Sequence, residues 1–253
     1  MISQTRTHQS FSSAAQKLGA GIIGFDNQNV TSMIKGESFS DTLRVISSYS
    51  DLIVIRHPEA GSAKVPADIA KVPVINGGDG PANHPTQTLV DLFTIQETLK
   101  RLNNLRIASV GDPKHYRTFH GQLQALSKFS KNEFYGISLK GFEMPKEFRN
   151  TSYHDVIINT SELNNTLEKL QPDIVSVGRI PKEYIKSKRK INFRVTIETV
   201  RVLPKHTIIM HPLPRVDEID PEVDNYPNAV YFKQVENGIF VREALLALVL
   251  GKV

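Results

Sequence analysis

The sequence predicts an α/β fold of two lobes, each a mainly parallel sheet flanked by helices, with the C-terminal helix returning to the first lobe. Three observations carry the prediction. Short β-branched runs enter a turn and leave through an amphipathic run, as at residues 72–95, where Val72, Val74 and Ile75 precede a Gly-rich stretch and Leu89, Leu92, Phe93 and Ile95 follow it. Arginines recur at or just beyond the carboxyl ends of such strands, Arg56, Arg117 and Arg179, which is where open α/β sheets bind ligands. The chain has 253 residues, 40% hydrophobic and 23% charged, a globular composition long enough for two modest domains.

In chain order, Thr5-Arg6-Thr7-His8 heads a helix running through Ala14, Ala15 and Leu18 to Gly19. Threonines and an arginine there suit an anion site, because unpaired N–H groups and the positive end of the helix dipole converge; plain N-capping by Thr is the alternative. Residues 21–25 read as a short strand, and residues 26–34 as a polar loop. Ser32 and Lys35 sit ahead of the next helix, which carries Asp41, Val45 and Ile46, so that loop is a lid, an intersubunit loop or plain surface. Residues 51–58 form an apolar strand delivering Arg56. After the strand at 72–75, a Gly-rich turn leads to His84-Pro85-Thr86-Gln87, with Pro85 in the first turn of a helix over residues 85–102. That turn presents His84 and Gln87 to a ligand, or is a capped turn with a surface histidine.

The lobe boundary is placed on this helix, giving residues 1–86 with 241–253 and residues 87–240. A strand at 104–110 precedes a helix starting at residues 116–120 with Arg117. Strands follow at 134–138 and 156–158, an amphipathic helix with a Ser161 cap at 161–170, and a strand at 173–179 ending in Arg179. Residues 196–203 read as helix and 207–210 as a buried strand. His211-Pro212-Leu213-Pro214-Arg215 stops that strand, and its prolines fix a loop whose carbonyls point outward, suited to a small amide or forming a plain turn. Tyr231-Phe232 reads as a short apolar segment, and residues 242–250 as an apolar helix.

Composition narrows the function. With no Cys, disulfides and thiolate metal sites are excluded, and a reducing, cytoplasmic setting fits. Residues 245–250 are too short an apolar run to cross a bilayer, and neither a secretory signal nor a membrane role is expected. The net charge of +5 and pI near 9.3 are dispersed along the chain and suit anionic small substrates. No basic aromatic surface or module argues for nucleic acid, and no metal-spaced His cluster, dinucleotide fingerprint or P-loop is present.

In this order, Thr-Arg-Thr, Lys-Gly-Glu-Ser, Ile-Arg-His-Pro, Asn-Gly-Gly-Asp-Gly with His-Pro-Thr-Gln, Arg-Thr-x-His, Arg179 and His-Pro-Leu-Pro-Arg with Asp-Glu-Ile are jointly specific. The chain resembles the aspartate/ornithine carbamoyltransferase family from about Thr5 to its C-terminus. The ornithine branch has a Cys in the loop corresponding to residues 211–214, so the absence of Cys favours the aspartate branch.

The resemblance implies carbamoyl transfer from carbamoyl phosphate to L-aspartate, giving N-carbamoyl-L-aspartate and phosphate in de novo pyrimidine synthesis, with no cofactor and no metal. It implies that Thr5, Arg6 and Thr7 hold the phosphate, that Arg56, His84 and Thr7 act on the carbamoyl oxygen, and that Gln87 and the carbonyls of Leu213 and Pro214 grip the carbamoyl NH₂. Arg117 and Arg179 clamp the aspartate carboxylates, and Ser32 and Lys35 reach a neighbouring subunit's site, Lys35 toward aspartate. The partners it implies are further copies of the chain in a homotrimer with shared active sites, a regulatory subunit being left open.

Several positions depart from the family pattern. Gln4 and His8 replace a hydroxyl and an arginine beside Thr-Arg-Thr, Tyr116 replaces a glycine, Pro181 replaces a glutamine, and the loop bearing Ser32 is one residue short. The family also has several dozen residues ahead of Thr-Arg-Thr, so the first lobe is expected to be N-terminally incomplete. These departures motivate the alternative of a non-catalytic relative that keeps the fold for assembly or ligand sensing.

Overall fold

A computed structural model describes residues 5–24, 36–80, 84–180 and 193–251. The chain divides into two compact units, Met1–Val90 with Glu236–Val253, and Asp91–Val235. The helix α1 (Thr5–Lys17) opens the first unit, followed by α2 (Phe39–Ser47), β1 (Ile53–His57), α3 (Lys64–Ile69) and β2 (Val74–Asp79). The division then falls inside α4 (Pro85–Leu99). The second unit continues with β3 (Arg106–Gly111), α5 (Arg117–Leu126), β4 (Glu133–Ser138), β5 (Tyr153–Ile157), α6 (Leu163–Leu170), β6 (Ile174–Val177), α7 (Ile197–Val202) and β7 (Ile208–Met210). Last comes α8 (Tyr231–Val249), which carries the chain back into the first unit.

In the first unit β1 and β2 pair in parallel, Ile53 opposite Val74, with an irregularity between Ile55 and His57. Phe11 and Ala14 of α1, Ile75 of β2 and Leu246 of α8 form its buried core, so the C-terminal helix does return to this lobe. Ser38 caps α2 by accepting from the Asp41 N–H at 3.1 Å, closing one of the four orphan donors of the helix start.

The second unit is a five-stranded parallel sheet in the order β5-β4-β3-β6-β7. Its strands obey the period of two. Ala108, Val110, Ile137, Val175, Val177 and Ile209 point to one face and meet Leu163 and Leu167 of α6 with Val200 of α7. Ile107, Phe134, Ile174, Ile208 and Met210 point to the other and meet Ile95, Phe119, Leu123 and Leu126 on α4 and α5. The strand order reverses between β3 and β6, which makes their carboxyl ends the switch point of the sheet.

Five local expectations need correction. Residues 21–24 form no strand, and Phe25 lies outside the described residues; Ile22 and Ile23 are exposed and no described strand pairs with them, so β-propensity alone does not build a ladder. The Gly-rich stretch is not a turn, since β2 continues through Gly77, Gly78 and Asp79, with His57 opposite Asp79. The strand expected at 156–158 begins at Tyr153, whose neighbour across the ladder is Phe134. Ser161 does not cap α6; Asn159 and Glu162 form the capping box instead. Tyr231-Phe232 and residues 242–250 are not separate pieces, because α8 carries Asn237 and Gly238 inside one helix.

Candidate active site

In the first unit, the N-terminal turn of α1 is set against the two glycines of β2. Thr7 is buried, and its hydroxyl is bound by the Nη1 of Arg56, from the carboxyl end of β1. Gly77 makes this approach possible: a Cβ there would lie 3.1 Å from the Ile55 carbonyl and 3.3 Å from Thr7 Cγ2. At Gly78, with φ +127°, a Cβ would lie 3.6 Å from both Arg56 Nε and His84 Cδ2. Arg56 and His84 therefore flank a patch of bare backbone, and the Gly78 N–H is fixed by Asn76 Oδ1 at 2.8 Å.

His84 caps α4 through its carbonyl, which accepts from the Gln87 and Thr88 N–H groups at 2.9 and 3.1 Å, while its Nδ1 lies 3.4 Å from the Thr86 hydroxyl. Pro85 begins the helix as its missing N–H allows. Thr7, Arg56 and His84 thus come together, with Gln87 one turn along; Arg6 and His8 are exposed on α1. The side chain of Thr5 and residues Gln4, Ser32, Lys35 and Pro181 lie outside what the structure describes.

In the second unit Arg117 and Arg179 stand at the switch point. Arg117 opens α5 directly after β3, and exposed Arg179 follows Gly178 at the end of β6. These two ends touch: the Gly178 N–H donates to the Val110 carbonyl at 2.8 Å, and Tyr116, just before Arg117, donates its hydroxyl to the Val177 carbonyl at 3.0 Å. A Cβ on Gly178 would meet the Tyr116 ring at 2.6 Å, so the tyrosine occupies the space over that glycine. Burial is the main cause that pushes the Tyr116 phenol well above its ordinary value, and it stays a neutral donor. The turn before α5 is fixed by buried Asp112, whose carboxylate meets His115 Nδ1 at 2.7 Å and the His115 N–H at 3.1 Å; burial raises the Asp112 carboxyl despite these partners.

The loop after β7 presents half-buried Leu213 and exposed Pro214, joined by a cis peptide bond. Three features here were missed from sequence. His211 and Glu218 form a buried pair at 2.8 Å. Behind them Gln234 accepts from the His211 N–H at 3.2 Å and donates to Asp91 at 2.5 Å, and Gln122 donates to the other Asp91 oxygen at 2.7 Å. The third is the bond by which Tyr116, singled out in the sequence only as a departure, ties the turn before α5 to the Val177 carbonyl. A histidine and a glutamate seven positions apart across a proline-bound loop were the available signal for the pair; the glutamine network spans residues too distant to have one.

No described group of acidic or histidine side chains is placed to hold a metal ion, and no described helix is long and apolar enough to cross a membrane. Thr7, Arg56 and His84 lie on the first unit, and the strand-end arginines Arg117 and Arg179 on the second.

Two family models cover nearly all of the chain. Residues 2–97 match the aspartate/ornithine carbamoyltransferase carbamoyl-P binding domain, and residues 103–249 match the Asp/Orn binding domain. The chain is 46% identical over 253 residues to the aspartate carbamoyltransferase catalytic subunit of Buchnera aphidicola subsp. Schizaphis graminum (strain Sg), covering 97% of this chain and 81% of that one. Among solved structures, it is similar to the catalytic subunit of M. Jannaschii aspartate transcarbamoylase, with a TM-score of 0.88, 40% identity, and 98% and 82% of the two chains covered. It also matches Trypanosoma cruzi aspartate transcarbamoylase in complex with carbamoyl phosphate and aspartate, with a TM-score of 0.85, 30% identity, and 95% and 78% covered. The chain belongs to the aspartate/ornithine carbamoyltransferase family.

Proposed function

We propose that the chain transfers the carbamoyl group of carbamoyl phosphate to the amine of L-aspartate, giving N-carbamoyl-L-aspartate and phosphate in de novo pyrimidine biosynthesis. The observation that carries this reading is the convergence of Thr7, Arg56 and His84 on the side-chain-free face of Gly77 and Gly78. Such a cluster suits a small dianion whose carbonyl becomes an oxyanion.

In this reading Thr5, Arg6 and Thr7 hold the phosphate at the α1 N-terminus, and Arg56, His84 and Thr7 donate to the carbamoyl oxygen as charge develops on it. Gln87 and the Leu213 and Pro214 carbonyls orient the carbamoyl NH₂. Arg117 and Arg179 each take one aspartate carboxylate, a task matched to a planar guanidinium fork. The neutral amine nitrogen attacks the carbonyl carbon, the C–O bond to phosphate breaks with its electron pair leaving on the phosphate oxygen, and the amine proton passes to the departing phosphate. No side chain is needed as nucleophile, since positioning and charge stabilisation lower the barrier.

Residues 1–86 with 241–253 act as the carbamoyl-phosphate lobe and residues 87–240 as the aspartate lobe. The cytoplasmic setting expected from the cysteine-free composition belongs to the same reading, and no observation favours a non-catalytic relative. A steady-state assay for carbamoyl-aspartate tests it; a folded chain that forms none with both substrates saturating would refute it.

Lys35 acts on a neighbour's site in a homotrimer, with Ser32 in the same loop. Lys35→Ala and Arg117→Ala chains are then each inactive alone and regain activity when mixed under subunit exchange. Proven exchange without recovery removes the shared site.

A further inference from the structure

The loop between β7 and Ile219 is held by a closed set of buried contacts that the reaction itself does not use. His211 Nδ1 accepts the Leu213 N–H at 2.8 Å, so that nitrogen carries no proton. The proton is therefore on Nε2, which donates to Glu218 Oε1 at 2.8 Å, and the ring is a neutral imidazole in one fixed tautomer. The second oxygen of Glu218 accepts the Val216 and Asp217 N–H groups, each at 3.0 Å. Both side chains are buried, 3% and 5% exposed.

Both ends of the lock are tied to the frame. The His211 N–H is bound by Gln234, and the Glu218 carbonyl accepts the N–H of fully buried Val195 at 2.9 Å. Between them, Arg215 reaches out to Asp224 and Tyr231. Leu213 stands at φ +52°, a left-handed conformation that a leucine adopts at a cost and keeps only when its surroundings impose it. Among the described residues, the Leu213 and Pro214 carbonyl oxygens accept no hydrogen bond. The two carbonyls are thus open acceptors on a loop whose backbone is held by the His211–Glu218 pair.

We propose that His211 and Glu218 are positioning residues of the carbamoyl-amide subsite, holding the Leu213 and Pro214 carbonyls where they accept the N–H bonds of the carbamoyl NH₂. This inference rests on the proposed carbamoyl transfer. The histidine ring spans the loop, converting the fixed position of Glu218 into a fixed position of the Leu213 backbone. An Asn at 211 keeps half of that device, because its side-chain oxygen can still accept the N–H two residues on, as in an Asx turn. A Leu keeps none.

The test uses the full chain and its His211→Asn, His211→Leu and Glu218→Gln variants. Binding of carbamoyl phosphate and of inorganic phosphate is measured by calorimetry, alongside thermal unfolding and turnover. Carbamoyl phosphate affinity is expected to fall about tenfold in His211→Leu and Glu218→Gln, and less in His211→Asn. Inorganic phosphate, which lacks the amide, keeps its affinity within roughly twofold in all three. Folded variants that lose both ligands equally, or neither, would overturn the proposal. If His211→Leu does not fold, the same comparison is read from His211→Asn and Glu218→Gln. A parent chain that binds the two ligands equally and forms no carbamoyl-aspartate overturns the carbamoyl-transfer reading itself, whatever the variants do.

Discussion

The two units hold their candidate site residues in opposite ways. In the first, a two-stranded sheet and a core of Phe11, Ala14, Ile75 and Leu246 support the site, and the site side chains support one another, Arg56 on Thr7 beside two bare glycines. In the second, a five-stranded sheet with apolar clusters on both faces carries the structure, while Arg117 and Arg179 are placed by the strand ends they follow. The contrast teaches that the candidate site is packed next to a small core in the first unit, so that the two are expected to fail together, whereas in the second it stands at the rim of a large one.

The largest expected effect attacks that contrast directly. Phe11→Ala removes a core ring from the smaller unit and should cost about 3–5 kcal/mol in urea unfolding, with turnover falling alongside. Leu167→Ala, in the larger unit, should cost about 2–5 kcal/mol while the molecules that stay folded keep their substrate affinities. Equal retention of activity in both variants would erase the distinction.

Next, Arg56→Ala should lower kcat by roughly 10²–10³-fold, about 3–4 kcal/mol of transition-state stabilisation. Arg56→Lys should not restore it, since a point charge cannot reproduce the fork that reaches Thr7. Turnover within a few-fold of the parent would make Arg56 structural.

A smaller effect separates the polar lock from the apolar frame. Burial raises the Glu218 carboxyl, but the His211 ring N–H and backbone N–H groups outweigh it and hold it down to about 2, against an ordinary 4.5. A depressed carboxylate stabilises the fold above its unfolded value and loses that contribution as pH falls through its folded value. The stability gap between the parent and Glu218→Gln should therefore be about 2 kcal/mol at neutral pH and close between pH 4.5 and about 2. Chemical denaturation at several pH values reads it directly, and a gap independent of pH would mean that the charge plays no part.

The smallest effect is at exposed Arg179. Arg179→Ala should raise the aspartate KM roughly tenfold, about 1.4 kcal/mol, and leave unfolding within about 0.5 kcal/mol of the parent. A comparable loss of stability would show that placement and support are not separable in the second unit either.

Legibility followed physical locality. Short, near-continuous apolar runs gave β3, β4, β6 and β7, because these strands are buried on both faces, and Pro85 gave the start of α4. What failed depended on partners. Residues 21–24 carry strand composition with no described ladder to join, and Gly77-Gly78 reads as a turn unless Thr7 and Arg56 are known to need the space. The positions of Arg56, His84, Arg117 and Arg179 in the fold were legible because each lies at a strand end or a helix start. The His211–Glu218 pair was not, since neither residue has a regular element to announce it.

The middle of α8 carries a trade between two positions of one helix. Arg242, 7% exposed, folds back to donate to the Gly238 carbonyl at 2.7 Å and lies 5.2 Å from the centre of the Phe11 ring, and burial pulls its guanidinium down to about 10. A Cβ at 238 would stand 2.5 Å from its Nη1. An alanine inside a helix ordinarily gains about 1 kcal/mol over glycine, yet here the Arg242 Nη1 would have to shift from its place against residue 238. The two sites are thus coupled: what Gly238→Ala gains in helix propensity is offset by what the Arg242 guanidinium gives up in moving, and the gain is read in full only where Arg242 has also been replaced.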